Sequence, residues 1–366
     1  MKFTIDRESL LKPLQQVIGV VERRQTLPVL GNLLIVAGKG ELQMTATDLE
    51  VEIQSSSSLE VKEAGEITLP ARKLIDICKA LPEEAKIELS IKDQKAQIRS
   101  GRSRFSLATL PAADFPVVDK IQSDCEFSIA QNKLKELIDR TQFSMAQQDV
   151  RYYLNGLMLE IDRGLLRAVA TDGHRLALCD MEVDIDTANP RQVIVPRKGI
   201  QELQRLLEDS EQPVGVEIGS NHIRVRSDAV CFTSKLVDGR FPDYERVLPK
   251  GGDKHVRANR ELFRQALSRT SILSNEKYRG IRLNLEQNNI RIQAHNPEQE
   301  EADEKFEVDY QGASLEIGFN VTYLLDVLGT VRSDEVEITL SDSNSSCLIR
   351  QPGTEQYRYV VMPMRL

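Results

Sequence analysis

Short stretches in which apolar and polar residues alternate recur along this chain. Segments such as Ile87–Ile91 and Val336–Leu340 alternate residue by residue, and this period predicts short strands with one buried face. Between them lie segments whose apolar residues recur at helical spacing. The apolar helix faces predicted in this way are Leu10, Leu11, Leu14 and Val17; Leu74, Ile77, Cys78 and Leu81; Ile200, Leu203 and Leu207; and Phe263, Ala266, Leu267 and Thr270. Pro13 lies inside the first of these helices, which is therefore expected either to bend or to begin late.

A set of features occurs three times in the same order. Ala46, Ala170 and Ala294 each stand near the end of a predicted strand and lie 124 residues apart. A strand that leads directly into a helix follows each of them, from Ile67, Val193 and Ile317. This period is far longer than the roughly 20–50 residues of a solenoid unit, so each repeat is expected to be a domain. The sequence therefore predicts an α+β fold of three repeated domains, at residues 1–122, 123–250 and 251–366.

Composition excludes several classes of protein. Apolar residues make up 40% of the chain and charged residues 28%, with neither a membrane-spanning run nor a secretory signal, so a cytoplasmic location is expected. The five cysteines form no C-x-x-C pair and are expected to be reduced, mostly buried thiols. The four histidines have no metal-binding spacing, and no phosphate-binding glycine loop is present. The prediction is a non-enzymatic protein with no metal and no cofactor.

A net charge of −8 argues against a surface that grips DNA everywhere. Basic residues nevertheless recur on the outward faces of the predicted helices. If the helices line one concave side of the three domains, these residues form a positive surface that contacts phosphates without reading bases. They are Lys12, Arg72, Lys79, Lys198, Arg205, Arg264 and Arg269. The last helix breaks the pattern, because Asn320, Thr322 and Asp326 supply no cation.

The first and last domains carry opposite charge runs, which a head-to-tail dimer requires. Such a contact closes into a ring or continues as a filament, depending on the rotation. Phe105 and Leu107 on the first domain, with Ile272 and Leu273 on the third, are expected to form the apolar centre of this interface. The charged residues assigned to it are Arg99, Arg102 and Arg104 in the first domain and Glu298, Glu300, Glu301 and Glu304 in the third.

Long segments resemble one known family. SGRSRFSLATLPAADFP, QFSMAQQDVRYYLNG, ATDGHRLA, FTSKLVDGRFPDYERVLP and the terminal YVVMPMRL are similar to segments of the β subunit of bacterial DNA polymerase III, the β sliding clamp. The resemblance covers essentially the whole chain. It implies a head-to-tail homodimeric ring of six domains around duplex DNA, with helices inside and β-sheets outside. It also implies loading by an ATP-driven clamp loader that holds the ATP site itself.

The resemblance implies two sets of site residues. The DNA contacts that carry over are Arg24, Arg72, Gln148, Tyr152 and Tyr153, to which the helix faces add Lys198 and Arg205. The second set forms a groove that binds short apolar peptide motifs of replicative and translesion polymerases, the clamp loader and repair proteins. Its residues are Arg151, Leu154, Thr171, Gly173, His174, Arg175, Leu176, Pro242, Arg246, Val247, Asn320, Tyr323, Val360, Met362, Pro363, Met364 and Arg365. Arginine and amide groups are expected at its rim, and Asn344 at its outer edge.

Two rival functions remain open. Asp172 and His174 form a catalytic pair if the carboxylate orients the imidazole as a general base. A repeat-built adaptor that binds proteins and never DNA is the other rival. The first and third repeats lack the His-Arg-Leu sequence of the second, so we expect one peptide groove per subunit.

Overall fold

The strands and helices of the chain follow the same order in each repeat, except that the first repeat has one additional short strand, β5 (Val61–Glu63). This computed structural model describes residues 1–22, 27–118, 121–185 and 190–365. The first repeat contains β1 Lys2–Asp6, α1 Arg7–Val17, β2 Asn32–Gly38, β3 Glu41–Thr47, β4 Val51–Ser58, β5 Val61–Glu63, β6 Gly65–Pro70, α2 Ala71–Ala80, β7 Lys86–Lys92, β8 Lys95–Ser100 and β9 Ser103–Ala108.

The second repeat contains β10 Ser123–Ala130, α3 Gln131–Asp139, β11 Gly156–Asp162, β12 Leu165–Thr171, β13 Arg175–Glu182, β14 Arg191–Pro196, α4 Arg197–Leu206, β15 Pro213–Gly219, β16 His222–Arg226 and β17 Val230–Lys235. The third contains β18 Lys254–Asn259, α5 Arg260–Thr270, β19 Gly280–Glu286, β20 Asn289–His295, β21 Glu301–Glu307, β22 Leu315–Asn320, α6 Val321–Thr330, β23 Glu335–Leu340, β24 Cys347–Arg350 and β25 Tyr357–Val361. Within the described residues each repeat has two α-helices, and the predicted α+β class is confirmed.

The repeated features of the sequence occupy equivalent places in the fold. Ala46, Ala170 and Ala294 are buried in β3, β12 and β20, each one residue before the end of its strand. The strand-to-helix steps are β6 to α2, β14 to α4 and β22 to α6, and no residue separates strand from helix. The predicted register of the repeat is therefore confirmed at both features.

The chain folds into two units, and the second repeat is divided between them. The first unit comprises Met1–Asn132 and Lys198–Leu236, and the second comprises Lys133–Arg197 and Val237–Leu366. The first unit contains a five-stranded sheet in the order β5-β1-β7-β8-β9 and an eight-stranded sheet in the order β10-β15-β16-β17-β4-β3-β2-β6. The second contains an eight-stranded sheet in the order β14-β11-β12-β13-β25-β24-β23-β18 and a four-stranded sheet in the order β21-β20-β19-β22. All these pairings are antiparallel, and β4–β17 and β13–β25 join strands of neighbouring repeats.

The predicted helix faces are largely confirmed. α5 buries Phe263, Ala266, Leu267 and Thr270, as its spacing predicts. α1 begins at Arg7 and continues through Pro13, so the late start is wrong. Burial of Pro13 on the core face offsets the backbone hydrogen bond that proline lacks.

One residue of α2 departs from its predicted place. Ile77 is only half-buried, and Ile75 is buried in its stead. Residues 71, 74, 75 and 78 also follow helical spacing, so the period alone does not distinguish the two faces.

The thiols are mostly buried, as expected. All five cysteines are free, and only Cys231 is partly exposed. Burial raises the pKa of Cys78, Cys179 and Cys347 to about 12. Within the described ranges, no helix is both long enough and apolar enough to cross a membrane.

Candidate peptide groove

A tight turn between β12 and β13 forms one side of the predicted groove. The Thr171 hydroxyl accepts the N–H of Gly173 at 3.1 Å, and Asp172 Oδ1 accepts the N–H groups of His174 and Arg175 at 2.9 and 3.1 Å. Gly173 has a φ of +89°, which favours glycine, and an added Cβ would lie 3.0 Å from the Arg151 guanidinium. The turn therefore has a fixed shape, and its side chains project from a rigid backbone.

Arg175 is the most constrained polar residue of this site. Its guanidinium donates to Asp172 Oδ2 at 3.1 Å and to the Phe143 carbonyl at 2.7 Å, and it forms an ion pair with Asp326 on α6. It also lies 4.6 Å from the ring centre of Tyr323 and 5.4 Å from that of Phe143. Its side chain is only 11% exposed. Arg175 therefore supports the groove from beneath, and the expectation of a rim position is wrong for this residue.

The geometry argues against a catalytic Asp172–His174 pair. The Asp172 carboxylate is engaged by two backbone N–H groups and by Arg175, and no bond joins it to the imidazole. The His174 ring instead stacks on Tyr323, with ring centres 6.5 Å apart and an interplanar angle of 18°. A general base needs a partner that fixes its tautomer, and nothing within the described residues supplies one. The arrangement suits a flat contact surface for a ligand.

The groove has an apolar floor formed by three of the predicted residues. Leu176 on β13 pairs directly with Val360 on β25, and both belong to one buried cluster with Leu154. Tyr153, Val247 and Leu348 are partly buried against it. The other buried members of the cluster are Ala146, Met158, Val169, Leu178, Ile194, Phe241 and Tyr244. Strands of the second and third repeats thus supply a single continuous floor.

Tyr244, in the floor cluster, is tied to a network of charges that the sequence did not reveal. Its hydroxyl donates to Glu160 and accepts from Arg167 at 3.0 Å. Arg167 and Arg358 both bind Asp180, at 2.6 Å each for their closest contacts. Burial, together with the bond to Glu160, raises the pKa of Tyr244 to about 12. The only sequence signal here is the cross-strand pair of Arg167 and Asp180; nothing local indicates the distant partners.

The C-terminal segment closes the other side of the site. The N–H of Met362 donates to the His174 carbonyl at 2.9 Å, and that of Met364 donates to the Gly318 carbonyl at 2.9 Å. Asn320 caps α6 by accepting the N–H of Thr322 at 2.9 Å. Met364 and Arg365 line a cavity of about 660 Å³ whose wall also includes Tyr278, a residue that the sequence did not single out. Met362, Pro363 and Met364 are partly exposed and therefore accessible to a ligand.

Three of the predicted groove arginines, Arg151, Arg246 and Arg365, are exposed. Arg151 binds Asp149 at 2.9 Å, and its hydrogen bonds lower the pKa of that carboxyl to about 2. Arg246 pairs with Asp243 at 2.7 Å and is 86% exposed, and Arg365 is exposed. Pro242 is also exposed, and Asn344 lies in the exposed β23–β24 hairpin. Most of the predicted groove residues are thus brought together; for Arg246 the structure gives only the neighbouring Asp243 as a partner.

Comparison with known proteins decides the family. Models of the N-terminal, central and C-terminal domains of the DNA polymerase III beta subunit match residues 1–119, 128–243 and 245–365. The beta sliding clamp of Pseudomonas putida is 60% identical, and that of Escherichia coli K12 54% identical, over the full length of both chains. The crystal structure of the Pseudomonas aeruginosa sliding clamp bound to griselimycin has a TM-score of 0.98 at 59% identity and covers all of both chains.

The chain belongs to the DNA polymerase III β subunit family, the β sliding clamps. A β sliding clamp is a processivity factor and not a catalyst, so the prediction of a non-enzymatic protein is confirmed. Membership implies DNA and polymerase partners and a peptide-binding groove. The three repeated clamp domains are confirmed as well.

The residues predicted to contact DNA in this clamp differ in availability. Arg24 lies outside the described residues. Arg72 is exposed and donates to the Val21 carbonyl at 2.8 Å. Lys198 pairs with Asp48 and Glu22, and Arg205 pairs with Glu202 at 2.7 Å.

The other predicted DNA contacts are Gln148, in an exposed loop, and Tyr152 and Tyr153, in the Tyr152–Leu154 helical turn that follows it. Gln148 is exposed at a φ of +55°, and Val150 is 95% exposed. Tyr152 is 58% exposed, whereas Tyr153 is half-buried against the groove floor. Of the two adjacent tyrosines, Tyr152 is therefore the better placed to meet a sugar or a base.

The two predicted interface segments of the clamp lie at open sheet edges. β9 ends the five-stranded sheet and β21 ends the four-stranded one. Arg99, Arg102 and Arg104 are exposed, and none pairs with a carboxylate within the described part of the chain. Glu304 is bound by Arg269 at 2.9 Å, so the placement of these two residues on separate surfaces is wrong.

The apolar residues of the predicted interface differ in exposure. Ile272 is 75% exposed, and Leu273 and Phe105 are half-buried. Leu107 is only 8% exposed within its own domain and offers little surface to a partner. The acidic side also includes Glu298, Glu300 and Glu301, all exposed.

Proposed function

We propose that two copies of this clamp join head to tail into a ring that encircles duplex DNA and tethers the replicative polymerase to it. The observation that carries this proposal is the opposite charge of the two open sheet edges, β9 in the first repeat and β21 in the third. An open edge presents unpaired N–H and C=O groups that a second edge can satisfy. Opposite charges on the two edges then select heterologous pairing over like-with-like pairing.

The interface that follows has Ile272 at its apolar centre, with Leu273 and Phe105 beside it. Ile272 is a large apolar residue exposed to solvent in the single chain, and burying it against the partner subunit gives the contact its hydrophobic gain. Arg99, Arg102 and Arg104 on one copy face Glu298, Glu300 and Glu301 on the other. Because each chain has three repeats, two copies make a ring of six domains. The domain boundaries are those predicted from the sequence, at residues 1–122, 123–250 and 251–366.

DNA contact in this proposal is sequence-independent and uses the helix faces that line the inside of the ring. Arg72, Lys198 and Arg205 approach phosphates, while Gln148, Tyr152 and Tyr153 extend from the second repeat. The in-chain partners of Lys198 and Arg205 do not prevent this, because exposed ion pairs are weak and a phosphate can replace the carboxylate. The overall charge of −8 then lies mainly on the outer surface.

The groove binds short linear motifs that carry apolar residues. Tyr153, Val247 and Leu348, which are partly buried against the floor of Leu154, Leu176 and Val360, accept the apolar side chains, and partly exposed methionines adapt to different sequences. Rim arginines hold the peptide backbone or an acidic side chain. We extend this role to the clamp loader, to replicative and translesion polymerases and to repair proteins, all in the cytoplasm, without a cofactor.

The decisive experiment tests linkage. The clamp is loaded onto a nicked circular plasmid with the clamp loader and ATP, free protein is removed, and the circle is cut once. Release upon cutting is expected, since a ring slides off an end; retention after cutting would mean ordinary contact binding and would overturn the ring. The matched control is Ile272→Ala with Leu273→Ala, which should sediment as a monomer and should not be retained on the circle.

The same assay separates the clamp from an adaptor that never touches DNA. Charge reversal at Arg24 and Arg72 should weaken loading and make the remaining DNA binding less sensitive to salt, because fewer phosphates are contacted. An adaptor would not be retained on circles at all. Retention that is unaffected by the double reversal would contradict the inner-face assignment while leaving the ring intact.

A further inference from the structure

A second cavity, of about 560 Å³, lies in the first unit, away from the groove. Four pieces of chain line it: the turn between β3 and β4, the segment after Phe115, the β15–β16 hairpin and the end of β17. Each piece has a counterpart in the groove, at the turn between β12 and β13, the segment after Phe241, the β23–β24 hairpin and the end of β25. The cavity is therefore the groove's equivalent at the preceding repeat junction.

The two turns share the same hydrogen bonds. The Thr47 hydroxyl accepts a hydrogen bond from the N–H of Leu49 at 3.0 Å, and in the groove the Thr171 hydroxyl accepts one from the N–H of Gly173. Asp48 Oδ1 accepts the N–H of Val51 at 2.7 Å, the bond that Asp172 makes to Arg175. At the end of β17, the N–H of Lys235 donates to the Glu50 carbonyl at 2.8 Å. In the groove, the N–H of Met362 likewise donates to the His174 carbonyl. Three hydrogen bonds of the groove therefore recur at equivalent positions of this cavity.

Leu49 is the most informative difference between the two sites. It stands where the groove has Gly173, with a φ of +77°, a backbone conformation that is strained for a non-glycine residue. Its side chain is nevertheless 41% exposed, so burial in this chain does not offset the strain. Val117, on the facing segment, is 64% exposed. Leu49 and Val117 thus expose apolar surface to solvent at the same cavity.

The charge of the cavity also differs from that of the chain. Lys235 stands where the groove has Met362, is exposed, and has no carboxylate partner within the described ranges. His222 lies beside it, and burial, with Lys235 and Arg224 nearby, lowers its pKa, so the imidazole is neutral at neutral pH. No aspartate or glutamate is present among the described lining residues. In a chain of net charge −8, the described lining of this cavity carries one lysine and no carboxylate, and it combines polar side chains with the apolar Leu49 and Val117.

We propose that this cavity binds a short peptide segment of a partner protein in which adjacent apolar residues are followed by an acidic one. The apolar residues cover Leu49 and Val117, and the carboxylate pairs with Lys235. Gly199 occupies the position equivalent to Tyr323, so the aromatic wall of the groove is missing and the ligand is shorter. The site is separate from the groove and does not depend on the groove's role. It also differs in chemistry from the single His-Arg-Leu groove expected from the sequence.

The test uses a fluorescein-labelled peptide, Gly-Leu-Leu-Asp-Gly, and full-length clamp whose groove is silenced by His174→Ala with Tyr323→Ala. Both substitutions lie in the second unit and leave the first unit's cavity unchanged. Fluorescence anisotropy is expected to show residual, salt-sensitive binding. Adding Leu49→Gly should weaken it about tenfold, because a buried leucine contributes more than 1 kcal/mol. Glycine suits a φ of +77°, so the thermal midpoint should stay the same or rise.

Charge reversal supplies the specificity control. Lys235→Glu should lose the aspartate peptide and gain the same peptide with lysine in place of aspartate. Absence of binding to the groove-silenced clamp, or binding that neither Leu49→Gly nor Lys235→Glu alters, would overturn the proposal and leave the groove's function untouched. Concentration-dependent association of the clamp that Leu49→Gly abolishes would identify a second copy of this chain as the occupant, which also contradicts a peptide site.

Discussion

Arg175 in the groove and Arg205 on α4 are both predicted functional arginines, yet the structure holds them very differently. Arg175 is 11% exposed and is fixed by two carboxylates, a carbonyl and two aromatic rings from separate segments. Arg205 is 39% exposed and pairs with Glu202 on the same helix and with the carbonyls of Gln15 and Gln16. The first residue supports a preformed site, while the second is a surface charge that can change partners.

This difference follows from solvent. A desolvated pair is strong only while both members are present, and removal of one leaves an uncompensated charge. An exposed pair is screened by water and salt and contributes little. The groove therefore resembles a core in its energetics, and the basic helix faces resemble ordinary surface that a polyanion can recruit.

Replacement of Arg175 should produce the largest effect. Arg175→Ala leaves Asp172 and Asp326 without their cation and removes the packing between Phe143 and Tyr323, so the free energy of unfolding should fall by about 2–4 kcal/mol. Peptide binding to the groove should be lost as well. Chemical denaturation and anisotropy measure the two effects. Arg246→Ala, at the exposed rim, is the matched control and should change stability by less than about 0.5 kcal/mol; equal effects of the two would contradict the comparison.

Removal of one hydroxyl beneath the floor should have the next largest effect. Tyr244→Phe keeps the ring in the apolar cluster but removes the bonds to Glu160 and Arg167, at a cost of about 1–2 kcal/mol in unfolding free energy. Groove affinity should fall only a few-fold, since the floor keeps its shape. Tyr152→Phe is the control, because the Tyr152 ring is largely exposed. A Tyr244→Phe protein as stable as the wild type would mean that the network does not anchor the floor.

Sequence spacing was sufficient where the determining interactions are local. The 124-residue repeat and the buried face of α5 follow from period alone and are confirmed. The partners of charged residues did not follow, because they come from distant segments. Arg269 binds Glu304 on β21, and Arg175 binds Asp326 on α6, and no local pattern links either pair. The groove residues themselves came from family resemblance; Glu160 and Arg358 beneath them carried no recognisable signal.

The salt dependence of DNA affinity tests the role proposed for Arg205, the exposed arginine of the comparison. If Arg205 releases Glu202 to contact a phosphate, Arg205→Ala should lower the slope of log affinity against log salt by about one unit while stability changes by less than about 1 kcal/mol. Anisotropy of a labelled DNA duplex across a salt series gives the slope. Arg291→Ala serves as the control, because Arg291 forms a similar exposed pair with Asp303 on the acidic third repeat. An unchanged slope would exclude Arg205 from the DNA contact.

The smallest expected effect concerns Glu52, a buried carboxylate that forms no ion pair with any of the described residues. Glu52 on β4 is 8% exposed and accepts the N–H of Val118 at 3.1 Å. Burial raises its pKa, and the Val118 bond and the more distant Arg224 only partly oppose this. The folded state then holds the proton more tightly than the unfolded state. The stability that Glu52 contributes is therefore fully present below its pKa in the unfolded state and is lost as pH rises through its pKa in the folded state.

Glu52→Gln keeps an acceptor for the N–H of Val118 and removes the charge. The unfolding free energy of this variant, relative to the wild type, should increase from acidic to neutral pH. A difference that stays constant with pH would mean that Glu52 is ionised at no cost, and that Arg224 compensates it as fully as the groove carboxylates compensate Arg175.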